Sequence, residues 1–497
     1  MIKKIFWVLT GISLSIACTN LNDQIDFEVY ETSANGNQLT KITNFSPLAE
    51  TVKIEILPET KHQSIIGFGG SFTESSAYLL NKLSKKNRDS ILEAYFGERG
   101  ARYSLTRTHI NSCDFSLGNY DYTNNQPDPK LSSFSIDEDR DDIIPMIKAA
   151  KAISKNGFKI ISSPWTAPPW MKDNNDWVGG KLLPEYYGTW AMFFSKYLEA
   201  YQQEGTDIWA ITVENEPLGN GNNWESMHYT PEEMVDFVNN HLGPTLDKTG
   251  QKVKILGYDQ NRGEELEQWA DVIYKDENTS RYFDGFAVHW YASTYDVFEK
   301  SLQHVHDLAP EKLLIQTEAC VDSEIPHWKD DAWYWSKEAT DWGWDWANED
   351  QKYLHPKYVP VFRYARDIIG CLNNEVQGWV DWNLVLDKQG GPNWFKNWCV
   401  APVIVDPDAD EIYFTPLYFT LAHFSRFIKP EAVRIGFNNP EESLLVTALQ
   451  NPDKSIVVVV LNMKSNTQNF ELLLNNKSVQ VQINGQAIQT IIIPAIN

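Results

Sequence analysis

The chain has 497 residues, enough for one large domain and a smaller companion. Its 43 Lys and Arg against 67 Asp and Glu leave a formal net charge of −24, which disfavours nucleic acid and other polyanionic partners and favours a neutral or cationic ligand. Nineteen Trp is a heavy load for this length, and ring faces that fill a core also stack well on the C–H faces of sugars.

The first stretch, "MIKKIFWVLTGISLSIACTN", has Lys3 and Lys4 before an apolar run from Ile5 to Ala17. It reads as a secretory signal peptide over residues 1–17, too short and wrongly flanked for a retained transmembrane helix. Ala17-Cys18 resembles the bacterial lipobox, which makes Cys18 the expected site of lipidation. The expectation is an exported protein of a bacterial periplasm or cell surface, tied to the outer membrane through Cys18 alone. Cys113, Cys320, Cys371 and Cys399 are too sparse for a disulfide scaffold and are expected as buried thiols. No CxxC pair occurs, and "HVH" at 304–306 reads as a solvated helix face, so neither a metal nor another cofactor is expected.

Residues 22–62 mix polar linker with short alternating runs such as "TVKIEIL", which predict strands. From 63 to 415 a unit repeats in which a short apolar strand is followed by an amphipathic helix. The strands are predicted at 64–71, 103–110, 159–165, 208–215, 253–260, 283–291, 312–319 and 376–384, with helices such as 189–205 between them, closed by Gly205. Eight βα units in series predict a (β/α)₈ TIM barrel. Residues 416–497 then read as strands alone, for instance "SIVVVVLNMK" and "QTIIIPA", and need the N-terminal strands to complete a sheet. The fold class is therefore α/β, a barrel with an all-β sandwich built from both chain ends.

In such a barrel chemistry projects from the C-terminal ends of the strands. Strand four ends in "ENEP" (214–217) and strand seven in "TEAC" (317–320). Glu216 and Glu318 are 102 residues and three βα units apart, so they face each other across one mouth. Facing carboxylates suit glycoside hydrolysis, in which one protonates the leaving oxygen and the other attacks the anomeric carbon. Strand-end carboxylates also serve as helix caps or as partners for cations such as Arg107 or Lys312. Trp165, Trp290 and Trp382 stand at other strand ends and favour the sugar reading. Spacing alone does not choose between Glu214 and Glu216, since residues two apart on a strand share a face. Pro217 predicts an extended Glu216 at the end of the ladder. The motifs of other chemistries are missing: "GFGGSF" (67–72) lacks the third Gly of a dinucleotide fingerprint, and there is no P-loop, HExxH or G-x-S-x-G.

The motifs "IIGFGGSFTESSA" (65–77), "RTHINSCDFS" (107–116), "SPWTAPPWMK" (163–172), "ENEP", "DGFAVHWY" (284–291), "TEAC", "GWVDWNLVLDKQGGPNW" (378–394) and "HFSRFIKPEAVRIG" (423–436), in this order, resemble glycoside hydrolase family 30 and within it the glucosylceramidase branch. The resemblance implies that Glu216 is the acid/base and Glu318 the nucleophile of a retaining β-glycosidase. It further implies that Asp114, Trp165, Asn215, Trp382 and Asn397 hold the hydroxyls of the sugar, with His289 and Tyr291 beside the nucleophile and Tyr291 donating to it. An ionised Glu318 is then expected to keep Glu216 protonated, and Glu214 is left as a structural partner of Arg107. The implied substrate is a β-glucoside, with β-1,6-glucan or a β-xyloside as alternatives from related branches and a non-catalytic glycan-binding lipoprotein as the alternative from another class. The aromatic region 327–355 is longer than that branch would have and is expected to overhang the mouth.

Overall fold

The computed structural model describes residues 26–43, 51–124, 126–221, 223–322, 330–336, 349, 359–475 and 477–495. The predicted signal peptide, Cys18 and most of 327–355 lie outside the described residues.

Three N-terminal strands, β1 (Glu28–Ser33), β2 (Thr40–Ile42) and β3 (Val52–Ser64), precede the barrel. The barrel strands are β4 (Gly67–Phe72), β5 (Leu105–Ile110), β6 (Lys159–Pro164), β7 (Ala210–Thr212), β8 (Lys254–Asn261), β9 (Gly285–His289) and β10 (Leu313–Glu318). A short β11 (Val321–Asp322) follows, and β12 (Gly378–Asn383) completes the ring. Each strand falls on its predicted segment, and the eight close as a parallel barrel in the order β10-β12-β4-β5-β6-β7-β8-β9. β7 keeps only three of its eight predicted residues, because the chain leaves the ladder at Val213. The helix predicted at 189–205 spans Tyr187–Gln203, with Gly205 at φ 74° where the chain turns out of it. "GFGGSF" serves packing: a Cβ on Gly69 would lie 1.8 Å from the Leu105 carbonyl oxygen, so glycine lets β4 meet β5.

Small strands β13 (Val385–Asp387), β14 (Cys399–Val400), β15 (Val403–Asp406) and β16 (Glu411–Phe414) lie in the connection after β12. The chain ends in β17 (Val433–Asn438), β18 (Leu444–Gln450), β19 (Ile456–Asn462), β20 (Gln468–Leu474), β21 (Lys477–Ile483) and β22 (Ala487–Ile493). With β1–β3 they form one sheet in the order β2-β1-β22-β19-β18-β17-β3-β20-β21, so both chain ends are woven into it as expected. The sheet curls until Val29, Ile54, Phe470, Val481 and Ile491 share one core. "IVVVVLN" in β19 is apolar throughout because both faces are covered. Val458 and Val460 enter the sandwich core, while Val457, Val459 and Leu461 join the core shared with the barrel.

One buried imidazole ties the two units. His423, on the helix Pro416–Ser425, places Nδ1 2.9 Å from Thr490 Oγ1 of β22 and Nε2 2.9 Å from Thr32 Oγ1 of β1. Burial pushes this ring down to about 3, so it is neutral in the folded chain. A depressed histidine contributes stability that is present above its unfolded value of about 6.5 and is lost as pH falls towards about 3. His423→Ala should cost about 1–3 kcal/mol by orphaning buried hydroxyls, seen as a lower urea midpoint. H423Q should flatten the fall in stability between pH 6.5 and 3; an unchanged slope would show that the ring is not the titrating group.

Candidate active site

Seven strands each send one apolar residue into a plug across the barrel interior: Leu105, Ile161, Ala210, Leu256, Ala287, Ile315 and Val380. Two positions on, where side chains return to the same face, come Arg107, Ser163, Thr212, His289, Thr317 and Trp382. β8 breaks this count with a bulge between Tyr258 and Gln260, both Tyr258 and Asp259 having positive φ (73° and 59°). Asp259, three residues beyond Leu256, thereby takes the inward place. A second irregularity between Gln316 and Glu318 turns two consecutive residues of β10, Thr317 and Glu318, into the interior.

This layer is a network of charges. Arg107 is fully buried, and its guanidinium bonds Glu318 Oε2, Asp259 Oδ2 (2.7 Å), Asn215 Oδ1 (2.8 Å) and Ser163 Oγ (3.0 Å). The cation also lies 4.9 Å from the centre of the Trp165 ring and 5.4 Å from that of Trp382, and the two rings stack on each other at 5.2 Å. Asp259 accepts in addition from Thr317 (2.6 Å), Thr212 (2.7 Å) and Ser163 (3.1 Å). Burial alone would raise its carboxyl, but Arg107, His289 and these hydroxyls hold it far below the usual carboxylate range. His289 Nε2 is 3.0 Å from Asp259 Oδ1, and Nδ1 is 3.4 Å from Glu216 Oε1. Burial works against its charge, yet Glu318 and Asp259 raise the ring to about 9, an imidazolium at neutral pH.

Atoms of Glu216, His289 and Glu318 all lie within 4.8 Å of one another. A cation could bridge that spacing, but an imidazolium has no lone pair to offer one. Burial raises the Glu216 carboxyl above its ordinary value, His289 partly offsets this, and Glu318 adds a smaller upward push. The expectation that Glu318 keeps Glu216 protonated thus has the right sign, but burial is the larger cause. Glu318 is held from its other side by the Tyr291 hydroxyl, which donates to Oε1 at 2.9 Å, as the resemblance implies.

Glu214 and Glu216 do not share a face. The backbone N–H of Asn215 bonds Pro164 O and that of Glu216 bonds Asp259 O. Glu216 sits at φ 52° rather than in the extended conformation expected before Pro217. The left-handed residue turns the Glu216 side chain into the mouth, and such a conformation in a non-glycine residue is a strain of about 1–3 kcal/mol that the surroundings must hold in place. Glu214 points the other way. It is fully buried, neither carboxyl oxygen has a hydrogen-bond partner among the described residues, and Arg107 is committed elsewhere. The expected Glu214–Arg107 pair is therefore absent from the described residues. Burial pushes Glu214 well up, and the charge of Lys172, itself pushed down to about 8 by burial, offsets this in part.

Asp114, Trp165, Asn215, Tyr291, Trp382 and Asn397 line, with both carboxyl groups, a pocket of about 190 Å³. Pockets for drug-sized ligands run to roughly 300–1,000 Å³, so this one suits a single sugar ring. Burial, reinforced by Glu318 and Glu225, pushes the Asp114 carboxyl well up, and Asn397 Nδ2 donates to it at 3.3 Å. Because Arg107 takes Asn215 Oδ1, the Asn215 amide presents its N–H₂ end to the pocket. His289 is not in the lining but fully buried behind it. Trp290 does not face the mouth either: its ring packs on Tyr364 and under Arg363, with Nε1 donating to Cys320 O. Alternation along the strand sends His289 inwards and Trp290 outwards. Of the aromatic region, Asp331–Trp335 packs inwards, with Trp335 edge-on to Phe362, and lines no part of the pocket.

The sequence reading missed three residues. From the sequence Arg107 reads only as a possible carboxylate partner, although a lone arginine inside an otherwise buried strand signals a compensating cluster. Asp259 stands in "LGYDQ" at the end of a predicted strand, but nothing in the alternation foretells the bulge. Glu225 accepts from Ser112 (2.8 Å), Asn119 (2.6 Å) and Trp394 Nε1 (3.0 Å), clamping three loops around the mouth, and lies in a stretch without periodicity.

Labelled-histidine NMR should find His289 protonated up to about pH 9. Stability linked to this raised ring is fully present below about 6.5 and lost as pH rises through about 9. D259N removes one of the anions that raise it, so the His289 titration should move down; titration of the wild-type ring near 6.5 would refute the charge assignment.

Residues 65–428 match the Glycosyl hydrolase family 30 TIM-barrel domain and residues 431–491 the Glycosyl hydrolase family 30 beta sandwich domain. The lysosomal acid glucosylceramidase of Mus musculus is 34% identical over 452 residues, covering 88% of this chain and 83% of that one. Among solved structures, SrfJ from Salmonella typhimurium superposes with a TM-score of 0.84 at 29% identity, covering 95% of this chain and all of that one. An endo-β1,6-glucanase superposes with a TM-score of 0.81 at 28% identity and the same coverage. The barrel, its woven sandwich and both family matches together make the chain a glycoside hydrolase of family 30.

Proposed function

We propose that the chain is a retaining β-glucosidase of the glucosylceramidase type, with Glu318 as nucleophile and Glu216 as acid/base. The observation that carries the reading is the approach of the two carboxyl groups, whose oxygens come within 4.8 Å. Retaining glycosidases separate these groups by about 5–5.5 Å, whereas inverting ones leave about 6.5–9.5 Å for a water.

The sugar ring enters between Asp114, Trp165, Trp382 and Asn397, with its anomeric carbon over Glu318 and the leaving oxygen against Glu216. Glu318 attacks while Glu216 gives its proton to the departing alcohol, and a glycosyl-enzyme ester forms. Glu216, now anionic beside the His289 imidazolium, takes a proton from water as its oxygen attacks the anomeric carbon; the bond from that carbon to Glu318 breaks, freeing the carboxylate and releasing the sugar with its β configuration kept. The Asn215 amide and the Asp114 carboxyl bind ring hydroxyls, contacts that strengthen as the ring flattens towards the oxocarbenium-like transition state.

A second reading keeps this machinery and changes the substrate to β-1,6-glucan, supported by the likeness to the endo-β1,6-glucanase structure. Aryl β-glucoside, aryl β-xyloside, glucosylceramide and β-1,6-glucan offered to the purified protein separate these readings by rate, with product stereochemistry followed by NMR. The first-formed sugar should be the β anomer; an α anomer would sink the two-carboxylate assignment. Glu318→Gln should abolish turnover. Glu216→Ala should lower kcat by about 10²–10⁴ on poor leaving groups, spare substrates with good ones, and recover with azide as a β-glycosyl azide. Glu214→Gln should be milder than either, and a larger loss there would move the acid/base to the wrong side of strand β7.

A further inference from the structure

Two thiols stand in the wall of the same pocket. Cys320 follows Glu318 by two residues, and Cys399 opens β14. β11 and β14 pair antiparallel, Val321 against Val400 and Asp322 against Cys399, which brings Cys320 Sγ to 3.4 Å from Cys399 Sγ. Both residues line the pocket beside Glu318 and Tyr291. The other two cysteines are held differently, Cys113 by the Ser116 hydroxyl and Cys371 by the Arg262 guanidinium. The sulfur pair also reaches the carboxylate through one phenol. The Tyr291 hydroxyl lies 3.5 Å from Cys320 Sγ and 2.9 Å from Glu318 Oε1.

We propose that Cys320 and Cys399 form a redox-active pair that closes to a disulfide under small peroxides and, through Tyr291, slows the reaction at Glu318. The thiolate of one cysteine attacks a peroxide oxygen, the O–O bond breaks, and a sulfenic acid and hydroxide form. The second thiol then displaces the sulfenic hydroxyl as water, and the S–S bond is made. Two thiols and hydrogen peroxide thus give one disulfide and two waters; the sulfurs lose two electrons and the peroxide oxygens gain them. Hydrogen peroxide is far smaller than the sugar ring the pocket suits. Closure asks the sulfurs to approach from 3.4 Å to about 2.05 Å. It removes both S–H groups and shifts Cys320 Sγ against the Tyr291 hydroxyl, so the hydroxyl that holds Glu318 loses its present geometry.

The cross-link stands independently of the catalytic assignment, and only its effect on rate rests on the reading of Glu318 as nucleophile. The full-length protein, reduced and then treated with hydrogen peroxide, is followed by intact mass, by peptide mapping and by kcat/KM on an aryl β-glucoside. The expected result is a loss of two hydrogens, a Cys320–Cys399 linked peptide, and a fall in kcat/KM of about tenfold, the scale of weakening one hydrogen bond to a charged group. Dithiothreitol should reverse all three. For Cys399→Val and Cys399→Ala the measured quantity is the ratio of treated to untreated kcat/KM within each variant, and it should stay near one with no linked peptide. Alkylatable or over-oxidised cysteines without the linked peptide would overturn the pair. A linked peptide with unchanged kcat/KM would overturn its coupling to Glu318, as would an equal reversible loss in both variants. If the untreated protein cleaves no glycoside, the functional reading fails while the linked peptide still decides the pair.

Discussion

The structure depends on keeping charge balanced in a place where water cannot solvate it. Arg107 and His289 carry two positive charges and Asp259 and Glu318 two negative ones, all inside the barrel. An unpaired ion at that depth costs several kcal/mol, and breaking one buried pair costs about as much. The apolar plug beneath the network fixes its floor, and the hydroxyls of Ser163, Thr212 and Thr317 absorb the remaining lone pairs of Asp259. Trp165 and Trp382 close it from the pocket side and give the guanidinium a polarisable face in place of solvent. The same two rings line the pocket beside both carboxyl groups, so one wall of the pocket is also the wall that shields the charges.

Regular strands would not make this site. Period-two alternation alone would send Tyr258 rather than Asp259 into the barrel and would leave Thr317 and Glu318 on opposite faces. Two irregularities, in β8 and β10 on either side of β9, bring Asp259 and Glu318 within hydrogen-bond reach of Arg107. The left-handed conformation at Glu216 does the corresponding work on β7. In each case a local departure from ideal backbone is held by the charged network it serves, through the Glu216 N–H to Asp259 O bond and the Arg107 contacts.

What could be read from the sequence follows the same division. The barrel strands, the union of both chain ends in one sheet and the two facing glutamates rest on periodicity and order along the chain, which a sequence displays directly. The alternation that would put Glu214 and Glu216 on one face needs a continuous strand, and β7 ends at Thr212. Trp290 was placed at the mouth for being aromatic at a strand end, although its neighbour His289 already occupied the inward place. Asp259 and Glu225 were missed because their importance lies in partners that come from distant elements, and no spacing within one segment records those.

The charge count also bears on the proposed reaction. Glu318 is bonded to the Arg107 guanidinium, and burial raises the Glu216 carboxyl above its ordinary value. In the proposed reaction Glu318 loses its charge on becoming an ester, and in the same step Glu216 gives up its proton and acquires one. The proposed step therefore keeps two anions and two cations among Arg107, His289, Asp259, Glu318 and Glu216, and moves the negative charge from the Arg107 side to the His289 side. His289 Nδ1, 3.4 Å from Glu216 Oε1, already stands where the charge arrives, and Asp259 fixes that imidazolium from its other nitrogen. Asp259 bonds both cations and never reacts, so it is the fixed point about which the charge shifts. A preorganised exchange of this kind needs little rearrangement of the surroundings, which is where a water-excluded site gains over solution.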